Sequence, residues 1–157
     1  MIIAIDAAEK HSGIVTFEGG EPVSHAQLVA DRYEDMADQL CQIIGNGVKG
    51  DGRVIAMEDT WQGPNALVTK HLNNLQGGVA AYCRWNGIPL LIISVKEIDS
   101  LCGLVYDKGE RKHATRGFAE IVYQAALTED QCDAVCVGHA ASVKVRREQM
   151  IQESEGC

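Results

Sequence analysis

No apolar run in this 157-residue sequence approaches the roughly 18–20 residues that a membrane-spanning helix needs. No charged leader precedes the first strand-like run either, since that run starts at Ile2, so no signal or transit peptide is expected. Six cysteines, at 41, 83, 102, 132, 136 and 157, include no Cys-x-x-Cys pair and no zinc-site spacing. Most lie in apolar stretches and are expected as free, buried thiols of a reducing compartment. Repeats, linkers and low-complexity tracts are absent, so a single domain over 1–157 is expected, long enough to bury a core. Positive charge is also scarce: 14 Lys and Arg against 22 Asp and Glu leave a net charge of −8. As a sum, that argues against a nucleic-acid binder. The distribution weakens the objection, because bases gather at Lys108–Arg116 and Lys144–Arg147 while acids concentrate in Glu18–Asp38.

What is present begins with Met1–Phe17, around which the rest of the chain is arranged. The apolar run Ile2–Ile5 ends in Asp6, and Gly13, seven residues on, opens a second β-rich run, Ile14–Phe17. Short apolar runs of this kind suit strands buried on both faces, here joined as a hairpin. An acid buried mid-sheet is costly, so Asp6 is expected at a strand end facing water, a cation or a partner. Val23–Ala30 reads as a third strand. Asp31 with Glu34 resembles a capping box for a helix through Met36, Leu40, Ile43 and Ile44, which ends near Gly45-Asn46-Gly47.

Val48–Gly52 reads as a loop, and Arg53–Glu58 repeats the opening pattern of an apolar strand that finishes in a carboxylate. A Gly63-Pro64-Asn65 turn leads to a helix over Asn65–Asn86, in which Gly77-Gly78 suggests close packing on a neighbour. Ile88–Ile93 is an apolar strand. Ser94 with Glu97 caps a short helix to Cys102-Gly103, and Leu104–Glu110 is a loop. Arg111–Leu127 is helical, with Phe118, Ile121, Val122 and Ala125 on one stripe. Thr128 with Gln131 caps a last helix carrying Ala134, Val135, Val137 and Ala141. The order of elements predicts an α/β fold with a mixed five-stranded sheet flanked by helices.

Four acids stand out: Asp6 and Glu58 at strand ends, and Asp130 and Asp133, three apart on one helix face. Clustered carboxylates suit Mg²⁺ or Mn²⁺. Each also has a plain structural explanation. Strand-end acids can face water, and Asp130 suits a helix N-terminal dipole, though Asp133 is one turn further in. His139 reads as a packed or solvated histidine, and Cys132 and Cys136 as core. Lys144–Arg147 reads either as a DNA-backbone contact or as a solvated helix end.

Asp6 with Gly13, the Ile-Ala-Met-Glu58 run with Trp61 and Asn65 after it, and Asp130-Gln-Cys-Asp133-Ala-Val-Cys-Val closely resemble RuvC-type Holliday junction resolvases, over residues 2 to about 141. The resemblance implies the ribonuclease H-like fold and a Mg²⁺-dependent crossover junction endodeoxyribonuclease that leaves 5′-phosphate and 3′-hydroxyl ends. Asp6, Glu58, Asp130 and Asp133 are then the catalytic metal ligands. They would hold two Mg²⁺ ions per site, bridged by Asp6, with Mn²⁺ able to substitute. It places the DNA-contacting lysines at Lys96 and Lys112, with Arg111 and Arg116 of the same basic cluster beside DNA and Trp61 near the junction centre. A homodimer on four-way DNA and a cytoplasmic location in a bacterial or phage-infected cell are further expectations. Ala7-Ala8 after the first Asp, the extra acid Asp59 and the rigid Gly63-Pro64 depart from the family pattern and suggest a divergent, phage-type member. Other readings are a ribonuclease H-like nuclease acting on RNA or branched DNA, and a non-catalytic junction-binding protein. An actin-like phosphotransferase does not fit, because Asp6 lacks the following Gly and 157 residues cannot supply two lobes.

Overall fold

A computed structural model describes residues 1–46, 52–60 and 65–155. Three antiparallel strands open the chain: β1 (Ile2–Asp6), β2 (His11–Glu18) and β3 (Glu21–Val29). Helix α1 (Tyr33–Gly45) crosses to β4 (Val54–Glu58), parallel to β1. Helix α2 (Ala66–Asn86) crosses to β5 (Leu90–Ile93), parallel to β4. Parallel neighbours need such crossovers, whereas the first three strands need only tight turns. The sheet order is β3-β2-β1-β4-β5, an open mixed five-stranded sheet. Helices α3 (Val95–Cys102), α4 (Arg111–Tyr123) and α5 (Glu129–Glu155) complete the chain.

The two-residue period of the strands sorts their side chains between two cores. Ile2 and Ala4 of β1, Val15 and Phe17 of β2 and Ala56 of β4 pack with α3, α4 and α5. Ile3, Ile5, Ile14, Ile55 and Met57 pack with α1 and α2. Helix α5 is buried all round from Gln131 to Gly138, which fits a helix lying across a sheet rather than one riding on its surface. It can lie that close because Gly138 meets Phe17 without a side chain; a Cβ there would stand 2.1 Å from the Phe17 ring.

Several element boundaries differ from the sequence reading. Strand β2 opens at His11, because its pairing with β3 extends to His11–Val29. Ala30 N–H bonds the Lys10 carbonyl at 2.9 Å, so the extended segment runs on and α1 takes Arg32 as its N-cap rather than Asp31. Arg32 makes no side-chain cap bond and instead pairs with Asp35 at 3.0 Å. Helix α4 stops at Tyr123, where Gln124 adopts a left-handed φ of 54°. No glycine or proline marks that stop. Ala125 therefore lies beyond the helix, and Ile121 is exposed, with Thr115 and Ala119 facing inward. Gly77 and Gly78 pack on nothing within the described residues, since a Cβ at either would meet open space. Thr128 and Gln131 do form the reciprocal cap: Thr128 Oγ1 accepts from Gln131 N at 3.3 Å, and Gln131 Oε1 accepts from Thr128 N at 2.9 Å. The cysteines at 41, 83, 102, 132 and 136 are free thiols. His139 is packed edge-on against Phe118, with ring centroids 5.1 Å apart.

Candidate active site

Parity decides where the strand-end acids point. Asp6 shares the face of Ile2 and Ala4, and Glu58 that of Ala56, so both turn toward α5. Ile5 pairs with Met57, which sets the two acids side by side at the same end of adjacent parallel strands. Gly13 pairs with Asp6 from the other side. It shares the face of Val15 and Phe17, and a Cβ on it would stand 2.1 Å from the Asp130 carbonyl oxygen. The missing side chain is what lets the first turn of α5 settle on the sheet beside Asp6. That turn carries Asp130, and the next carries Asp133.

All four acids thus converge. Burial pushes the Asp6 carboxyl well above the ordinary carboxylate range, and Asp133, Glu58 and Asp130 each push it further up. Glu58 is raised as well, because burial outweighs the opposing Arg111 charge. Burial likewise raises Asp133, whose Oδ1 is the one buried side-chain polar atom without a hydrogen-bond partner among the described residues. Asp130 is held differently. Gln27, which pairs with Gly13 from β3, donates from Nε2 to Asp130 Oδ2 at 2.9 Å and accepts from the Thr128 hydroxyl.

The cation in this cluster is Arg111, the first residue of α4. Its Nη2 donates to Glu58 Oε2 at 2.9 Å and its Nε to Asp99 Oδ1 at 3.0 Å. Burial opposes the guanidinium charge, but Glu58 and Asp99 more than offset it and hold the arginine pKa above its ordinary value. Lys112, one residue on, points outward, exposed and paired with Glu129. Arg116 is exposed and pairs with Glu120 along its own helix at 3.2 Å. Lys96 is exposed in the first turn of α3. Trp61 lies outside the described residues. Lys144 pairs with Glu97 at 2.5 Å, and Arg146 donates to the Gly19 carbonyl at 2.6 Å in the β2–β3 turn, at the sheet end opposite Asp6.

Sequence reasoning did not reach Gln27, Asp99 or Thr115, the residues around the acids. Gln27 and Asp99 sit in stretches with no motif, and only the β2–β3 register and the α3–α4 contact bring them in. Thr115 is fully buried on α4 beside Asp133 and lowers its pKa through a hydrogen bond.

The donor set suits a hard divalent cation. Four carboxylates converge, burial and then their mutual repulsion make three of them resist ionisation, and a buried Asp133 oxygen lacks a partner. As the side chains stand, no three Asp, Glu, His or Cys among the described residues are close enough to grip an ion, and Arg111 supplies the opposing charge.

Solved structures with this arrangement of strands and helices include RuvC of T. thermophilus in complex with a Holliday junction substrate. It matches with a TM-score of 0.70 at 12% identity, over 93% of this chain and 94% of that one. This chain has the RuvC fold. A second Thermus thermophilus RuvC structure matches at a TM-score of 0.67 and 13% identity, over 94% of this chain and 96% of that one. No family profile and no curated protein matches the sequence. The RuvC fold is the ribonuclease H-like α/β architecture that the sequence resemblance implied. No helix among the described residues is long and apolar enough to cross a membrane.

Proposed function

We propose that this chain is a Mg²⁺-dependent, structure-selective endonuclease that resolves four-way DNA junctions by paired nicks, leaving 5′-phosphate and 3′-hydroxyl ends. The observation that carries this reading is the convergence of Asp6, Glu58, Asp130 and Asp133 on the α5 face of one sheet end, with a buried Asp133 oxygen unpaired. The RuvC fold, and the Holliday junction substrate held in one RuvC structure, support it. Asp6, Glu58, Asp130 and Asp133 are the residues that would hold the Mg²⁺ ions. When bound, such ions supply an activated water and stabilise the leaving oxygen.

The protein's own contribution is to gather the acids, to keep them from bulk water and to orient DNA. Gln27 fixes Asp130 through its amide. Arg111, inside the cluster, and Lys96, at the start of α3, offer phosphate contacts on an otherwise acidic chain. Lys112 and Arg116, on the outer face of α4, are backbone contacts further out. Resolution of a two-fold symmetric junction calls for two sites, hence a homodimer. Gly78, Ala81 and Trp85 share an exposed face of α2, and Trp85, 91% exposed, is the surface that a second copy would cover.

The test is a cleavage panel of end-labelled four-way junctions, forks, duplexes and RNA–DNA hybrids with Mg²⁺, with mapped product ends. Symmetric nicks confined to the junction are expected. Cleavage of hybrids or forks in preference to junctions would assign the same site to another ribonuclease H-like nuclease. Tight junction binding without nicks would make the chain a binding protein.

A further inference from the structure

Asp99, on α3, has no part in the function proposed above, yet both of its oxygens are engaged. Oδ1 accepts from Arg111 Nε at 3.0 Å, and Oδ2 accepts the Tyr106 hydroxyl from the loop before α4. It is more buried than the arginine it holds, with 14% of its side chain exposed against 22%. A guanidinium is planar and rigid, so fixing Nε by one acid and Nη2 by another fixes the whole plane. The placement needs such a hold, because Arg111 begins α4, where the helix dipole disfavours a cation, and the N-cap Glu110 makes no side-chain cap bond. Arg111 is also the cation felt by Asp6, Glu58 and Asp133 alike. Among the carboxylates it is the guanidinium bonded directly to one of them, Glu58, and so the cation placed to meet a phosphodiester there.

We propose that Asp99 is a positioning residue for strand cleavage: by gripping Arg111 at Nε it keeps the Nη edge aimed into the acid cluster, ready to bond a non-bridging oxygen of the scissile phosphate. Glu58 holds that edge in the free protein. Asp99 remains the fixed end when the edge turns from Glu58 to phosphate. Tyr106 braces Asp99 from the second oxygen and so couples the 103–110 loop to the same arginine. The inference rests on the nuclease reading above.

Asp99→Asn keeps the size and an acceptor for Nε but weakens the grip. It is expected to lower the kcat of nicking about 10- to 100-fold, the scale of a misaligned catalytic contact. The melting temperature, the junction Kd in EDTA and the salt slope of binding should stay unchanged, since the Arg111 charge remains. In an Arg111→Ala background the same substitution should cost nothing further. Tyr106→Phe, in an exposed loop, should lose a smaller part of kcat with the same non-additivity, and it carries the test if Asp99→Asn folds poorly. Full activity in both variants, losses that persist without Arg111, or losses that simply track the folded fraction would each overturn the inference. A wild type that cuts nothing in the panel would overturn the nuclease reading and this inference together, whereas active wild type with equally active variants sinks only the role of Asp99.

Discussion

Gly13→Ala is the sharpest probe of how the site is built. The added methyl would stand 2.1 Å from the Asp130 carbonyl oxygen, 2.2 Å from the Asp130 carbonyl carbon and 2.6 Å from Gln131 N. Non-bonded carbon contacts are favourable only at about 3.5–4.0 Å, so the start of α5 must retreat by on the order of 1 Å. All three atoms are backbone, and none can rotate aside. On the sheet side, Gly13 is pinned between Asp6 and Gln27 by pairing with both neighbouring strands. Overpacking of this kind costs about 2–3 kcal/mol, or about 4–12 °C in melting temperature for a chain of this size. The effect on chemistry should be larger, because the retreat carries Asp130 and Asp133 away from Asp6 and Glu58, and a 1 Å misplacement can cost about 100-fold in rate. Thermal melting gives the first quantity, and nicking of a labelled junction per folded molecule gives the second. A Gly13→Ala protein that melts like wild type and cuts within about threefold of it would refute the claim that this close approach sets the site.

Asp6→Asn should abolish nicking while junction binding in EDTA survives, and it should raise the melting temperature of the metal-free protein at pH 8 by about 2–4 °C per kcal/mol of burial cost and repulsion relieved; a lower melting temperature would show that the Asp6 charge does not burden the fold. The folded pKa values of Asp6, Glu58 and Asp133 are all raised, so their contribution to stability is present at low pH and is lost as pH rises through the raised values. Metal-free protein should therefore melt progressively lower from mildly acidic pH to pH 8, Mg²⁺ should restore the loss, and Asp6→Asn should flatten the slope. A slope that Asp6→Asn leaves intact would place its origin elsewhere. Gln27→Leu removes the amide donor on Asp130 and should weaken Mn²⁺ binding, measured by calorimetry, about 10- to 100-fold; unchanged Mn²⁺ affinity would leave Gln27 without this role. Trp85→Ser should leave melting of the monomer unchanged while shifting light-scattering mass toward the monomer, and a dimer as tight as wild type would move the interface off this face of α2.

Much of this was legible in the one-dimensional pattern. Apolar runs bounded by turn residues located β1, β2, β4 and β5, whereas the mostly exposed β3 carries no such run. The Thr128–Gln131 and Ser94–Glu97 boxes announced two helices, since caps satisfy backbone donors within three residues and need no tertiary partner. The same locality explains the misses. Gln124 ends α4 in a conformation its side chain does not advertise, and Ile121 is exposed although its stripe partners Phe118 and Val122 pack against the core. Asp31 has the chemistry of a cap, but the backbone is still extended at Arg32, which takes the N-cap position.

The four acids could be picked out from the chain, but not their meeting. Period two fixes that Asp6 shares a face with Ala4, yet which face receives α5 is settled only by two side-chain vacancies, Gly13 under Asp130 and Gly138 under Phe17. Arg111 and Lys112 look interchangeable in sequence. The winding of α4 turns one into the acid cluster and the other out to solvent. Asp99 and Gln27 come from segments far along the chain, and no local rule links them to Arg111 or Asp130. Sequence determines elements because their energetics are local; contact between charges distant in the chain depends on how the elements stack.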